Sequence, residues 1–121
     1  MNKPLVLIVE DDPVLRRATS RILKKEFEIT MAANGQEAIS MILESSFDAI
    51  LCDIDMPVMN GDQLFKELLL LDEKKANSII FLTGGTLRPA ACKVLNKTGF
   101  IRKPVKTEKL IELIKQVISN D

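Results

Sequence analysis

Five short apolar runs, separated by segments of a different rhythm, restrict this chain more than any other feature of it. The runs fall at residues 5–9, 27–31, 49–54, 78–82 and 100–102. Between and after them, apolar residues recur at intervals of three and four: Val14, Leu15, Ala18 and Ile22; Ala38, Ile39, Met41 and Ile42; Leu64, Phe65, Leu68 and Leu71; Leu110, Ile111, Ile114, Val117 and Ile118. The runs predict strands and the intervals predict amphipathic helices, alternating five times. Strands that are apolar along their length, rather than at every second residue, predict a parallel sheet covered by helices on both faces, with right-handed crossovers. The fold is then a doubly wound α/β sandwich. Such sheets hold ligands beyond the carboxyl ends of their strands, where the winding reverses.

Helix starts agree with this layout. Asp12 followed by Pro13 predicts an N-cap with proline at the first helical position, and Asn34-Gly35, Asn60-Gly61 and Thr107 stand where later helices should begin. The fourth helix, around residues 89–96, is expected to be short or mobile, because Thr-Gly-Gly-Thr precedes it and its apolar content is thin. At 121 residues the chain is expected to be one domain, 1–121, ending soon after the fifth helix with no effector domain.

Charge and composition exclude several functions. Seventeen basic and seventeen acidic residues cancel, and the basic ones are scattered, so no stripe suited to a phosphate backbone exists and direct nucleic-acid binding is not expected. No apolar run approaches the ~18 residues needed to cross a bilayer. The first eleven residues read as a strand and not as a secretory signal, which predicts a cytoplasmic protein with no membrane partner. Cys52 and Cys92 lie too far apart for a paired-cysteine metal site and are expected to be buried, reduced thiols. Histidine is absent, which removes the commonest general base and metal ligand.

The chemistry concentrates where strands end. Glu10, Asp11 and Asp12 follow the first run with no base beside them, Asp53 and Asp55 follow the third, Thr83 the fourth, and Lys103-Pro104 the fifth. Two carboxylates about 4 Å apart repel by roughly 4 kcal/mol at an effective dielectric near 20, so a cation is required. If the first and third strands are neighbours, Asp11 and Asp53 converge into a set of hard oxygen ligands suited to Mg²⁺. A central carboxylate would then be a nucleophile towards phosphorus, with one hydroxyl and one ammonium holding phosphoryl oxygens.

The blocks I-V-E-D-D, C-D-I-D-M-P-x-M-N-G, F-L-T-G-G and F-I-R-K-P, in this order over nearly the whole chain, resemble the receiver domain of two-component response regulators. The resemblance implies a flavodoxin-like (βα)5 fold with strand order 2-1-3-4-5. It implies that Asp53 is the phosphoacceptor, that Asp11 binds Mg²⁺ directly with Glu10 acting largely through water, and that the Asp55 backbone carbonyl completes the ligands. Thr83 would hydrogen-bond the phosphoryl group, Lys103 would pair with it, and Phe100 would be the switch aromatic that follows Thr83. The Lys103-Pro104 bond would be cis. The phosphodonor would be a histidine kinase or phosphotransfer protein, and output would pass to an unidentified downstream protein. The chain would act either as a stand-alone regulator or as the receiver of a hybrid sensor kinase. Its only reactions would be self-phosphorylation and self-dephosphorylation, the latter tuned by Asp55 and by Gly85, which lacks a side chain to orient water. Receiver domains also admit a homodimer through the fourth and fifth helices.

Plainer roles stand beside these. Asp12 is a helix cap first; Met41, Met56 and Met59 are packing residues; Phe100 at a strand start is a core candidate as well as a switch. Asp53-Ile54-Asp55 also resembles the D-x-D motif of haloacid-dehalogenase-like phosphatases, with Asp53 as nucleophile and Asp55 as general acid. That motif normally stands on the first strand of a larger chain.

Overall fold

The computed structural model describes residues 3–119 except 57, 85–88 and 99, together with the side chains of all but 90 and 96–98 among these. Five parallel strands, β1 (Leu5–Val9), β2 (Glu28–Ala32), β3 (Ala49–Asp53), β4 (Ile79–Thr83) and β5 (Ile101–Arg102), form one sheet in the order β2-β1-β3-β4-β5. This is the order that the resemblance implies. Around the sheet lie α1 (Pro13–Leu23), α2 (Gly35–Glu44), α3 (Gly61–Leu71), α4 (Glu73–Ala76), α5 (Pro89–Thr98) and α6 (Thr107–Ser119).

The near-continuous apolar runs do what was expected of them. Val6, Leu7, Ile8 and Val9 of β1 are buried, as are Ala49 to Cys52 of β3. Their side chains divide between two cores, one on each face of the sheet. One core gathers Leu7, Ile50, Phe81, Leu64 and Leu68. The other gathers Val6, Ile8, Leu51, Phe27 and Ile114. Phe65 and Phe81 meet edge to face in the first, with ring centres 6.1 Å apart and planes at 73°.

Caps follow the residues expected to make them. Asp12 accepts from the N–H of Val14 at 2.9 Å and Pro13 opens α1. Asn34 accepts from Glu37 N–H, and Asn60 with Gln63 forms a reciprocal capping box on α3.

Three expectations need correction. The alternation has a sixth helix, the single turn α4, which Asp72 caps by accepting from Lys75 N–H; four residues are too few to show an apolar period. The helix following β4 is not short: α5 has ten residues, because the small apolar Ala91 joins Val94 and Leu95 in a buried face. Cys52 is buried as expected, but Cys92 is only half-buried.

Candidate functional site

Strand register brings the ends of β1, β3, β4 and β5 to one level. Val9 pairs with Cys52, Asp53 with Leu82, and Thr83 with Arg102, so Glu10, Asp53, Thr83 and Lys103 emerge side by side. Backbone bonds hold the rim: Ile54 N–H to Leu82 C=O at 3.0 Å, Lys103 N–H to Thr83 C=O at 2.8 Å, and Glu10 N–H to Ala32 C=O at 3.1 Å.

One carboxylate oxygen from each of Glu10, Asp11 and Asp53 lies within 4.8 Å of the other two. The convergence inferred for Asp11 and Asp53 is therefore present, and Glu10 belongs to it. Lys103 Nζ donates to Glu10 Oε1 at 3.1 Å and stands 3.8 Å from Asp53 Oδ2. The cation that the acidic run demands is thus partly supplied within the chain, by a residue 93 positions away. Sequence reasoning placed Lys103 near the site but assigned it only to the phosphoryl group. Its pairing with Glu10 was missed, because nothing in the spacing of two residues that far apart specifies which of three carboxylates an ammonium will meet.

Burial raises the Asp53 carboxyl from its ordinary range to about 6. Lys103 and the hydrogen bond from the Asp55 backbone N–H pull it down, while the Glu10 carboxylate pushes it up. The Asp53 side chain is only 14% exposed. Cys52, directly before it, has its thiol pushed up by burial and by the Asp53 and Glu10 charges, which keeps it an unreactive packing group.

Thr83 is fully buried, and its Oγ1 finds no hydrogen-bond partner among the described residues. A buried hydroxyl without a partner costs about 1–3 kcal/mol. The donor set therefore fits a bound oxyanion: an orphaned hydroxyl and an ammonium border three clustered oxygens that suit a hard divalent cation. Gly84, next in sequence, leaves room at the mouth: among the described residues an added Cβ would meet only the Lys103 stem, at 3.6 and 3.8 Å.

The other expected site residues lie around this cluster. Asp55 is exposed and outside the carboxylate group, though its N–H reaches Asp53. Phe100 precedes β5 and is 42% exposed, so its reading as a core residue is overturned; the guanidinium of Arg102 sits 5.6 Å from its ring centre. The Lys103-Pro104 peptide is cis. Gly85 lies outside the described residues. Arg16, which drew no functional role from the sequence, donates from Nη1 to the Glu10 carbonyl at 2.8 Å.

A parallel doubly wound sheet with an acidic cluster, a lysine and a buried threonine at its carboxyl rim defines a class of phosphoacceptor domain. The response regulator receiver domain model matches residues 6–115, and the chain belongs to that family. It is 33% identical over 96% of its length to the "Probable transcriptional regulator ycf29" of Porphyra purpurea, covering 57% of that protein. It is 30% identical over 91% of its length to the hybrid signal transduction histidine kinase D of Dictyostelium discoideum, covering 7% of it. The chain thus spans little more than half of the first of these relatives and a small part of the second. Among solved structures, a CheY-like receiver domain protein of Methanospirillum hungatei superposes with a TM-score of 0.86 at 29% identity, over 98% of this chain and 96% of that one. As a receiver domain the chain is a phosphoacceptor signalling module of two-component systems. The phosphatase reading of Asp53 and Asp55 finds no support: the motif ends the third strand, and the family match accounts for the residues around it. No helix among the described residues is long and apolar enough to cross a membrane.

Proposed function

We propose that Asp53 accepts the phosphoryl group, that Asp11, Asp53 and the Asp55 backbone carbonyl hold Mg²⁺ with Glu10 acting largely through water, and that Thr83 and Lys103 bind the transferred group. The observation that carries this reading is the gathering of Glu10, Asp11 and Asp53 within 4.8 Å, beside an ammonium and a buried hydroxyl with no partner among the described residues. When bound there, a divalent cation neutralises charge on the carboxylates and on the arriving phosphoryl oxygens.

The chain's own residues do the rest. An Asp53 carboxylate oxygen forms a bond to phosphorus while the bond from phosphorus to the donor's imidazole nitrogen breaks, its electron pair leaving with the imidazole. Thr83 Oγ1 has no bond to give up among the described residues, so its donation to a phosphoryl oxygen is a gain. Lys103 turns its ammonium from the carboxylates to the product, whose charge lies outside the strand ends. Movement of Thr83 towards the product is what Phe100 would follow, shifting the population of two states of the β4–β5 face.

The donor in this reading is a histidine kinase or a phosphotransfer protein, as for receiver domains generally, and the setting is cytoplasmic. Output passes to a partner protein or to a further part of a longer chain. The domain turns over its own phosphoryl group, at a rate that the family resemblance ties to Asp55 and to the residue type at Gly85. Incubation with Mg²⁺ and acetyl phosphate, followed by intact mass, tests the assignment. One added phosphoryl group is expected on the unaltered protein and none on Asp53→Asn or in excess EDTA. An adduct that persists in Asp53→Asn would contradict it.

A further inference from the structure

We infer that Arg16 is a positioning residue for divalent-cation binding, acting through the main chain of the acidic turn rather than on the cation. This rests on the reading of Glu10, Asp11 and Asp53 as the cation site. The turn from Glu10 to Asp12 must present carboxylates that repel one another, and its backbone therefore needs holding from outside. Arg16 holds it twice. Its backbone N–H donates to the Asp12 carbonyl at 2.9 Å, and its guanidinium reaches back over the first turn of α1 to the Glu10 carbonyl at 2.8 Å.

Other groups of the turn are engaged so as to reinforce this. Glu10 N–H is tied to the Ala32 carbonyl of β2, Asp12 N–H leans on Glu10 Oε2 at 3.4 Å, and the Asp12 side chain is used up as the α1 cap. The Glu10 carbonyl is thus fixed by a side chain and not by the sheet, at the point where β1 has ended and α1 has not begun. A charged donor to a carbonyl is a strong restraint. The neighbouring Arg17 donates to the Pro13 carbonyl at 3.2 Å, within its own helix, and so does nothing for the turn.

Two physical effects of Arg16 oppose each other, and this makes the inference testable. A positive charge beside the turn disfavours a cation, whereas fixing the turn preorganises its ligands. Outer groups that orient metal ligands typically matter by about 10- to 100-fold in affinity; with the charge working against it, the net loss on removal of Arg16 is expected to be about 3- to 10-fold.

The test is a Mg²⁺ titration of the metal-free protein, read from the backbone amide shifts of residues 9–12 and 53–55. Arg16→Met keeps the stem and removes the donor: its dissociation constant for Mg²⁺ should rise by about 3- to 10-fold. Arg16→Lys, with a donor of similar reach, should recover most of the loss, and Arg17→Met should change nothing. Should Arg16→Met fail to fold, Arg16→Leu, which also lacks a donor, is measured under the same criterion. Equal or tighter Mg²⁺ binding in the donor-less variant would overturn the inference and show that charge alone decides. Asp11→Ala separates this from the underlying reading: if it still binds Mg²⁺ at the same amides, the cation site itself is wrong, whereas its loss beside an unaffected Arg16→Met condemns only the role of Arg16.

Discussion

Asp53 illustrates how a single side chain bears the strain of the rim. Its carboxyl is raised from the ordinary aspartate range to about 6, chiefly by burial. The folded protein therefore binds its proton more tightly than the unfolded chain does. The stability that goes with that proton is fully present below about pH 3.8 and is lost as pH rises through 6. Above pH 6 the ionised carboxylate weighs on the metal-free fold, by about 1–2 kcal/mol once partial exposure to solvent is allowed for. Asp53→Asn should accordingly be more stable than the unaltered protein at pH 7.5 in EDTA, with the gap closing towards pH 4, as measured by urea unfolding at each pH. At this scale the sequence was legible in kind but not in pairing. Adjacent acids announced a need for positive charge, and the motifs supplied Lys103. That Lys103 meets Glu10 at 3.1 Å, and that Arg16 grips the Glu10 carbonyl, depends on side-chain reach across the fold. No period or cap encodes such contacts.

Elements were easier to read than contacts, because burial leaves a rhythm. β1 and β3 are buried along their length, and their continuous apolar runs announced it. The edge strand β2 is only partly covered and its run was located one residue early. α4 left no rhythm to find, and α5 hid its buried face behind alanine. The loop between β3 and α3 shows a different limit. Val58 there has φ of 69°, a left-handed conformation that a β-branched residue adopts at a cost of about 1–2 kcal/mol. Nothing in the residue type hints at that conformation. Its side chain is 79% exposed, so little packing would be lost on replacement. Val58→Asn, which tolerates this region, should stabilise the protein by about 1 kcal/mol, to be checked by the shift in chemical denaturation midpoint at unchanged slope.

The whole molecule is a device for bringing four strand ends to one edge. Its two cores, on opposite faces of the sheet, fix the register, and the register delivers Glu10, Asp53, Thr83 and Lys103 from positions spread over more than ninety residues. A cation shared between separate strand ends binds the folded chain alone, so it should stabilise the molecule as a unit. Mg²⁺ at about a hundred times its dissociation constant should add close to 2.7 kcal/mol. Thermal unfolding with and without Mg²⁺ should show the gain in the unaltered protein and not in Asp11→Ala. The family relationship makes the phosphoryl chemistry intelligible, but that chemistry requires these side chains to meet around one ion and one transferred group. The most direct test is a crystal structure of the protein with Mg²⁺ and beryllium fluoride. The expected result is the fluoride adduct on an Asp53 oxygen, Mg²⁺ at about 2.0–2.1 Å from carboxylate oxygens of Asp11 and Asp53, and Thr83 Oγ1 and Lys103 Nζ each bonded to a fluorine. An adduct on another residue, or an ion that leaves Asp11 unligated, would contradict it.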